Sequence, residues 1–299
     1  MPCMAKLLLV ACLLVPASNL VAQATRSAQP AAEEPGKGFI AYLTFQGSSN
    51  SLGQVMQMDS SAGYSFNQHF SMDLGLPVYF VNSSGTASSG NSTSTSGLGD
   101  VHMDLRLNVV RPVLNYLSTF TVSAPTGDAD KGFSTGRVTF DWNNHLDHTF
   151  KRVTPFFEAG LANTIGNTQF FNRPFTTLGL LSHYQGGASV AFRKVFSVGA
   201  SAYAVLPFGE QTVFSQIVPG SSSSANSNSH APAFTTSHET KGSSDLDRDN
   251  GLSGWIGASP SKYIDLRLGY SHSNHYDLNT LIIGMGFNLA GLVRNASAR

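Results

Sequence analysis

Cysteine is almost missing from this sequence. Its 299 residues include 2, Cys3 and Cys12, and both fall in an N-terminal stretch that reads as a leader. What remains offers no thiol nucleophile, no disulfide and no cysteine-held metal. Charge is scarce as well: Asp, Glu, Lys and Arg make up 12% of the chain, where an ordinary soluble chain has about a quarter. The 18 Lys and Arg balance the 18 Asp and Glu, so the basic footprint that a nucleic-acid partner requires is absent. Long apolar runs are missing too. Beyond the leader, no segment approaches the roughly eighteen apolar residues of a spanning helix, so any membrane crossing has to be made by strands.

Glycine (29), phenylalanine (20) and many Ser, Thr and Asn residues are present instead, a composition of strands and polar loops. The opening MPCMAKLLLVACLLVPASNLVAQA has one positive charge at Lys6, an apolar core from Leu7 to Val15, and Ala22 and Ala24 in A-x-A spacing. It reads as a signal peptide over residues 1–24. A competing lipoprotein box at Leu9-Val10-Ala11-Cys12 has a very short apolar core before it. Residues 25–37 read as a periplasmic linker, 38–289 as the folded domain and 290–299 as a polar tail.

The stretch GLGDVHMDLRLNVV shows the organising pattern. Val101, Met103, Leu105, Leu107 and Val109 alternate with His102, Asp104, Arg106 and Asn108, the period of two of a strand with one apolar and one polar face. The same alternation places Met56, Met58 and Tyr64 opposite Asp59, and Leu74, Leu76 and Phe80 opposite Asp73. It also places Trp142 opposite Asp141, Leu266 and Leu268 opposite Asp265 and Arg267, and Ile283 and Met285 opposite Gly284. Short connectors at 67–69, 111–115, 148–152, 193–195 and 259–262 alternate with longer Ser/Gly/Asn-rich ones at 82–96, 125–135, 163–176 and 207–250, with modest loops at 47–53 and 272–277. Short turns at one end and long loops at the other predict an all-β, closed antiparallel transmembrane barrel of about twelve strands, with periplasmic turns and extracellular loops. About ten residues at about 3.3 Å each, tilted about 40°, cover an apolar band of about 25 Å. A soluble β-sandwich would have shorter strands, more surface charge and no difference between its ends.

In such a barrel the polar faces turn inward. The expected lumen-lining residues are Asp59, Asp73, Asp100, Asp104, Asp141, Glu158 and Asp265, with Arg106, Arg137 and Arg267. They read either as a charge ladder biased toward cations or as a paired network that holds the register, because unpaired buried charge is costly. Phe170, Phe171 and Phe175 in TQFFNRPF are candidates for apolar substrate capture at the mouth, or for the aromatic girdle. DLDRDNG from Asp245 has carboxylates at alternate positions but places Asn250 where a calcium loop needs glycine, and is expected to be a solvated loop. The pairs His145/His148 and His272/His275 are expected to face solvent, and no metal site or cofactor is expected. Ser273 and His275 would share a strand face but lack an assembled acid and oxyanion donor, so no catalytic residues are assigned. The tract GSSSSANSNSH in the longest loop is too polar to fold by itself.

GLGDVHMDLRLNVV followed by FTVSAPTGDADKGFSTGRVTFDW from Phe120 resembles the outer-membrane proteins grouped under the meta-pathway of phenol degradation, which show a Gly-Leu-Gly-Asp strand start and a Pro-Thr-Gly loop. The resemblance implies a channel or transporter for small, often apolar or aromatic compounds. It further implies a chain placed in the outer membrane by the barrel-assembly machinery, in contact with lipid and lipopolysaccharide. Outer-membrane chains usually finish on an aromatic residue, whereas here Phe287 is followed by Asn288, Leu289 and the polar tail. A structural or surface-binding barrel is the alternative function, with a lipid-modifying hydrolase a distant third.

Overall fold

In the computed structural model, the described residues are 37–51, 53–83, 93–129, 131, 133–164, 176–192, 195–219, 234–242 and 248–290. The expected leader, nearly all of the linker and of the tail, and Phe170, Phe171 and Phe175 lie outside them. The strands are β1 (Gly38–Asn50), β2 (Gly53–Ser65), β3 (Phe70–Ser83), β4 (Thr93–Leu98), β5 (Val101–Val110), β6 (Asn115–Ala124), β7 (Thr139–Asp147), β8 (Val153–Ala162), β9 (Thr176–Leu178), β10 (Leu181–Phe192), β11 (Phe196–Pro207), β12 (Gln211–Pro219), β13 (Phe234–Gly242), β14 (Asp249–Ser261), β15 (Ile264–Ser273) and β16 (Leu278–Asn288).

Neighbouring strands pair antiparallel around a complete circuit, and β1 closes on β16 from Tyr42↔Asn288 to Ser49↔Leu281. The result is a closed barrel of 12 staves, one of which is made by two strands in succession. β3 pairs with β5 over Phe70–Gly75 and with β4 over Val78–Ser83, so β4 and β5 are one stave broken at Gly99 and Asp100. The Ser/Gly/Asn-rich composition predicts a loop through to Ser96; β4 instead continues the wall upward along β3, which supplies its backbone hydrogen-bond partners.

Faces follow the alternation. Leu74, Phe120, Trp142, Leu252, Ile256, Leu268 and Ile283 are all exposed, whereas Asp73, Ser123, Asp141, Ser271 and Ser273 on the opposite faces are buried. An apolar exterior over a polar interior is the inversion that lipid demands, because the bilayer core solvates CH groups and not charges. Sheet closure then leaves no edge with unpaired backbone groups in the hydrocarbon.

The short connectors are tight turns. Asn67 caps one by accepting from the backbone N–H groups of His69 (2.8 Å) and Phe70 (2.9 Å), and Lys151 takes a left-handed φ of 58° in another. The longest connector is not bare spacer. Its two arms, β12 and β13, pair with each other, and β12 pairs in turn with β9, in a separate three-stranded sheet. The GSSSSANSNSH tract between the arms lies outside the described residues, and backbone hydrogen bonds tie the arms to each other and, through β12, to a strand from another loop.

Candidate functional site: the glycine-floored interior

Asp73 and Asp104 are direct cross-strand partners on β3 and β5. Like charges placed opposite one another repel. Arg106, two residues along β5 on the same face, resolves the conflict. Its guanidinium bonds to Asp73, with Nη2 also reaching Asp73 Oδ1 at 3.3 Å, and Nη2 donates to Asp104 Oδ2 at 2.5 Å. Thr121 on β6 donates to the other Asp104 oxygen at 2.6 Å. A planar fork with several donors suits this task in a way that a lysine ammonium does not.

Beside this cluster, five interior rings follow one construction. His102 on β5 stands directly opposite Gly75 on β3, and a Cβ on Gly75 would fall 2.4 Å from its ring. The imidazole therefore lies over the glycine and reaches Asp59 on β2, with Nε2 3.4 Å from Oδ2. Four staves further on the device repeats. His183 on β10 lies over its direct partner Gly160 on β8 and reaches Asp141 on β7 at 2.9 Å. Phe156 lies over Gly187, Trp255 over Gly199 and Tyr203 over Gly251, in each case the residue directly across the ladder. Each glycine removes the side chain that would push a ring toward the barrel axis, so the rings lie flat along the wall.

The wall-lying groups connect into a belt. His145 on β7 sits between two carboxylates, Nδ1 2.9 Å from Glu158 and Nε2 3.1 Å from Asp147. Its ring stacks on Phe156 at 5.8 Å, Phe156 meets Trp255 at 6.0 Å, and the Arg267 guanidinium lies 5.7 Å from the Trp255 ring. Nearer the outer mouth, Asp249 is fully buried and accepts from Tyr203 at 3.1 Å and Ser273 at 2.5 Å. The ion pairs and ring contacts described here join strands at most three places apart around the wall.

Gly199→Ala is expected to lift Trp255 off the wall, since the new Cβ would fall 2.2 Å from its ring. With Trp142, the chain's other tryptophan, replaced by phenylalanine, quenching of Trp255 by aqueous iodide should rise at least about two-fold from its buried baseline. Unchanged quenching would mean that the ring does not rest on this glycine.

Of the residues anticipated from sequence, Asp59, Asp73, Asp104, Arg106, Asp141, Glu158 and Arg267 lie in these clusters. Asp265 accepts from Ser259 at 2.7 Å near the periplasmic turn. Asp100 stands at the stave break, where it accepts from the Gly127 N–H at 2.9 Å, and Arg137 is exposed in the connector before β7. Two expectations need correction. His145 is buried between carboxylates rather than solvent-facing, because Glu158, its direct partner on β8, carries the matching acid. Asp249 is not part of a solvated loop but the first residue of β14, paired with Val205. Ser273 is engaged with Asp249, while His275 is exposed in the following turn against Tyr276. His102 and His183 do not stand out as a pair in the sequence; a histidine whose cross-strand position is glycine is the available signal, legible only once the register is known.

No known family matches the sequence, and no curated protein does. Among solved structures, an outer membrane channel from Pseudomonas putida F1 superposes with a TM-score of 0.53 at 11% identity, over 89% of this chain and 100% of that one. The NanC porin matches at a TM-score of 0.45 and 8% identity, over 83% of this chain and 100% of its own. The toluene transporter TodX from Pseudomonas putida matches at 0.43 and 9%, over 87% and 92%. The first of these likenesses shows a shared fold. Closure, an apolar exterior and that likeness define an outer-membrane β-barrel.

Proposed function

We propose that this barrel is a passive outer-membrane channel for small solutes, apolar and aromatic compounds among them. The observation that carries the reading is the glycine-floored lining: interior rings lie along the wall instead of meeting across the axis. Eight strands enclose a space that side chains fill, and sixteen leave a wide aqueous channel, so 12 staves lined this way leave a narrow passage. The aromatic belt from His145 to Trp255 offers π-faces to a planar solute, and the acids around Asp59, Asp73 and Asp104 favour cations in any aqueous path. Assembly by the barrel-assembly machinery and contact with lipopolysaccharide follow from the same reading.

In planar bilayers the purified protein should conduct, and a tenfold salt gradient should give a reversal potential of cationic sign that shrinks in Asp59→Asn. Liposomes containing it should take up a neutral aromatic alcohol faster than empty ones. A silent bilayer together with unchanged uptake would favour the structural barrel, whose outer sheet of β9, β12 and β13 would then do the work at the surface.

A further inference from the structure

The described residues of the loop between β6 and β7, 125–129, 131 and 133–138, do not stand away from the barrel. Phe133 in its middle is buried, and its ring stacks on Tyr79 at 5.6 Å with only 9° between the planes. Tyr79 shares the inward face of β3 with Asp73 and Gly75, so the loop residue covering it lies within the mouth. Gly97, on the inward face of β4, forms the floor beneath: a Cβ there would fall 2.9 Å from the Phe133 ring. Ser134 and Thr135, next in sequence, are buried with it.

What holds the loop inward is the broken stave. Gly127 comes so close to Gly99 that a Cβ on Gly127 would lie 2.7 Å from the Gly99 carbonyl carbon and 2.9 Å from both its Cα and the Leu98 oxygen. Around that contact the Gly127 N–H donates to Asp100 at 2.9 Å and the Asp128 N–H to the Leu98 carbonyl at 3.1 Å. The Val101 N–H donates to the Thr126 hydroxyl at 2.8 Å, and Lys131 Nζ reaches the Ser96 carbonyl at 3.2 Å. Leu98–Asp100 and Thr126–Asp128 therefore form one clasp, in which the stave break exposes backbone groups and the loop satisfies them. Because the blocking atoms at Gly127 are backbone, no side-chain movement can relieve a substitution there.

We propose that the described part of this loop is a fixed constriction at the outer mouth, latched by the Gly99–Gly127 contact, and that Phe133 on Tyr79 sets the size of solute admitted. The inference rests on the channel reading for its size-setting half. The latch stands on geometry alone. The Gly99–Gly127 contact is backbone against backbone and the surrounding hydrogen bonds reinforce it, so the constriction moves only when that contact opens.

The test uses the full chain in two assays. In planar bilayers, Phe133→Ala is expected to raise conductance about two-fold or more while Phe133→Leu, which keeps most of the bulk, changes it little. Gly127→Ala should raise it comparably, with heat-dependent gel mobility confirming that each variant is a folded barrel. Independently, Ser134→Cys reports loop position by its reaction with a membrane-impermeant maleimide, since Cys3 and Cys12 are the chain's only other thiols. Labelling should be slow on the Gly127 background and about tenfold faster on Gly127→Ala. A conducting wild type whose conductance and solute cut-off are unchanged by Phe133→Ala overturns the constriction, and equal labelling on both backgrounds overturns the latch. If no variant conducts but labelling still separates the two backgrounds, the channel reading and the size-setting role fall together and the latch stands.

Discussion

Arg106→Met is expected to cost the barrel about 3–5 kcal/mol of stability, the penalty for leaving a buried charge without its partner. The guanidinium bonds to Asp73 and Asp104, carboxylates that face each other across β3 and β5, and Asp73 is 1% exposed. Without the cation, two acids stand opposed in a confined space with Asp59 nearby. Adding Asp73→Leu should recover most of the loss, because Asp104 keeps its bond from Thr121 and no longer faces a second carboxylate. Urea titration of the refolded protein in lipid reads both effects. A single-variant cost below about 1 kcal/mol would mean that water solvates these carboxylates as it does at a protein surface.

On the opposite face of the same strand, Leu105→Arg should cost roughly 2–4 kcal/mol, the value for a cation on the lipid side near mid-membrane. Leu105 pairs with Met72 and Phe120, and its neighbours Leu74, Leu107 and Phe120 are all exposed to the surroundings of the barrel. Arginine at Gln57, which alternates with the exposed Met56 and Met58 and therefore points inward beside Asp59, should stay within about 1 kcal/mol of wild type. Comparable damage at both positions would show that the two faces do not meet different solvents.

Strand faces and loop asymmetry are legible in the amino-acid sequence because both are local properties. The alternation through Val101–Val109 states which side chains share a face whatever the neighbouring strand is, and turn positions such as Asn67–His69 follow from polar residues that break the run. Asp73, Asp104 and Arg106 are identifiable as interior for the same reason. Asp249 misleads because the local pattern DLDRDNG is that of a solvated loop, while its burial comes from Tyr203 and Ser273, 46 and 24 residues away. His145 misleads because a polar side chain near a turn looks solvated until the opposing Glu158 is known.

Fold class, membrane solvent and the inward or outward sense of each strand are thus properties of the chain's own period-two pattern, since a pleated strand assigns faces without reference to its partners. Tertiary structure alone decided the register, and with it everything that depends on two strands meeting. It set His102 over Gly75 and His183 over Gly160, joined Asp141 to a histidine 42 residues away, and drew the two glycine-containing motifs into one clasp. A two-residue slip would keep every side chain on its own face and destroy each of these contacts, whereas a one-residue slip would turn the polar face to lipid. Which glycine lies beneath which ring is set by the closed barrel's hydrogen-bond ladder, not by the residues near either one in sequence.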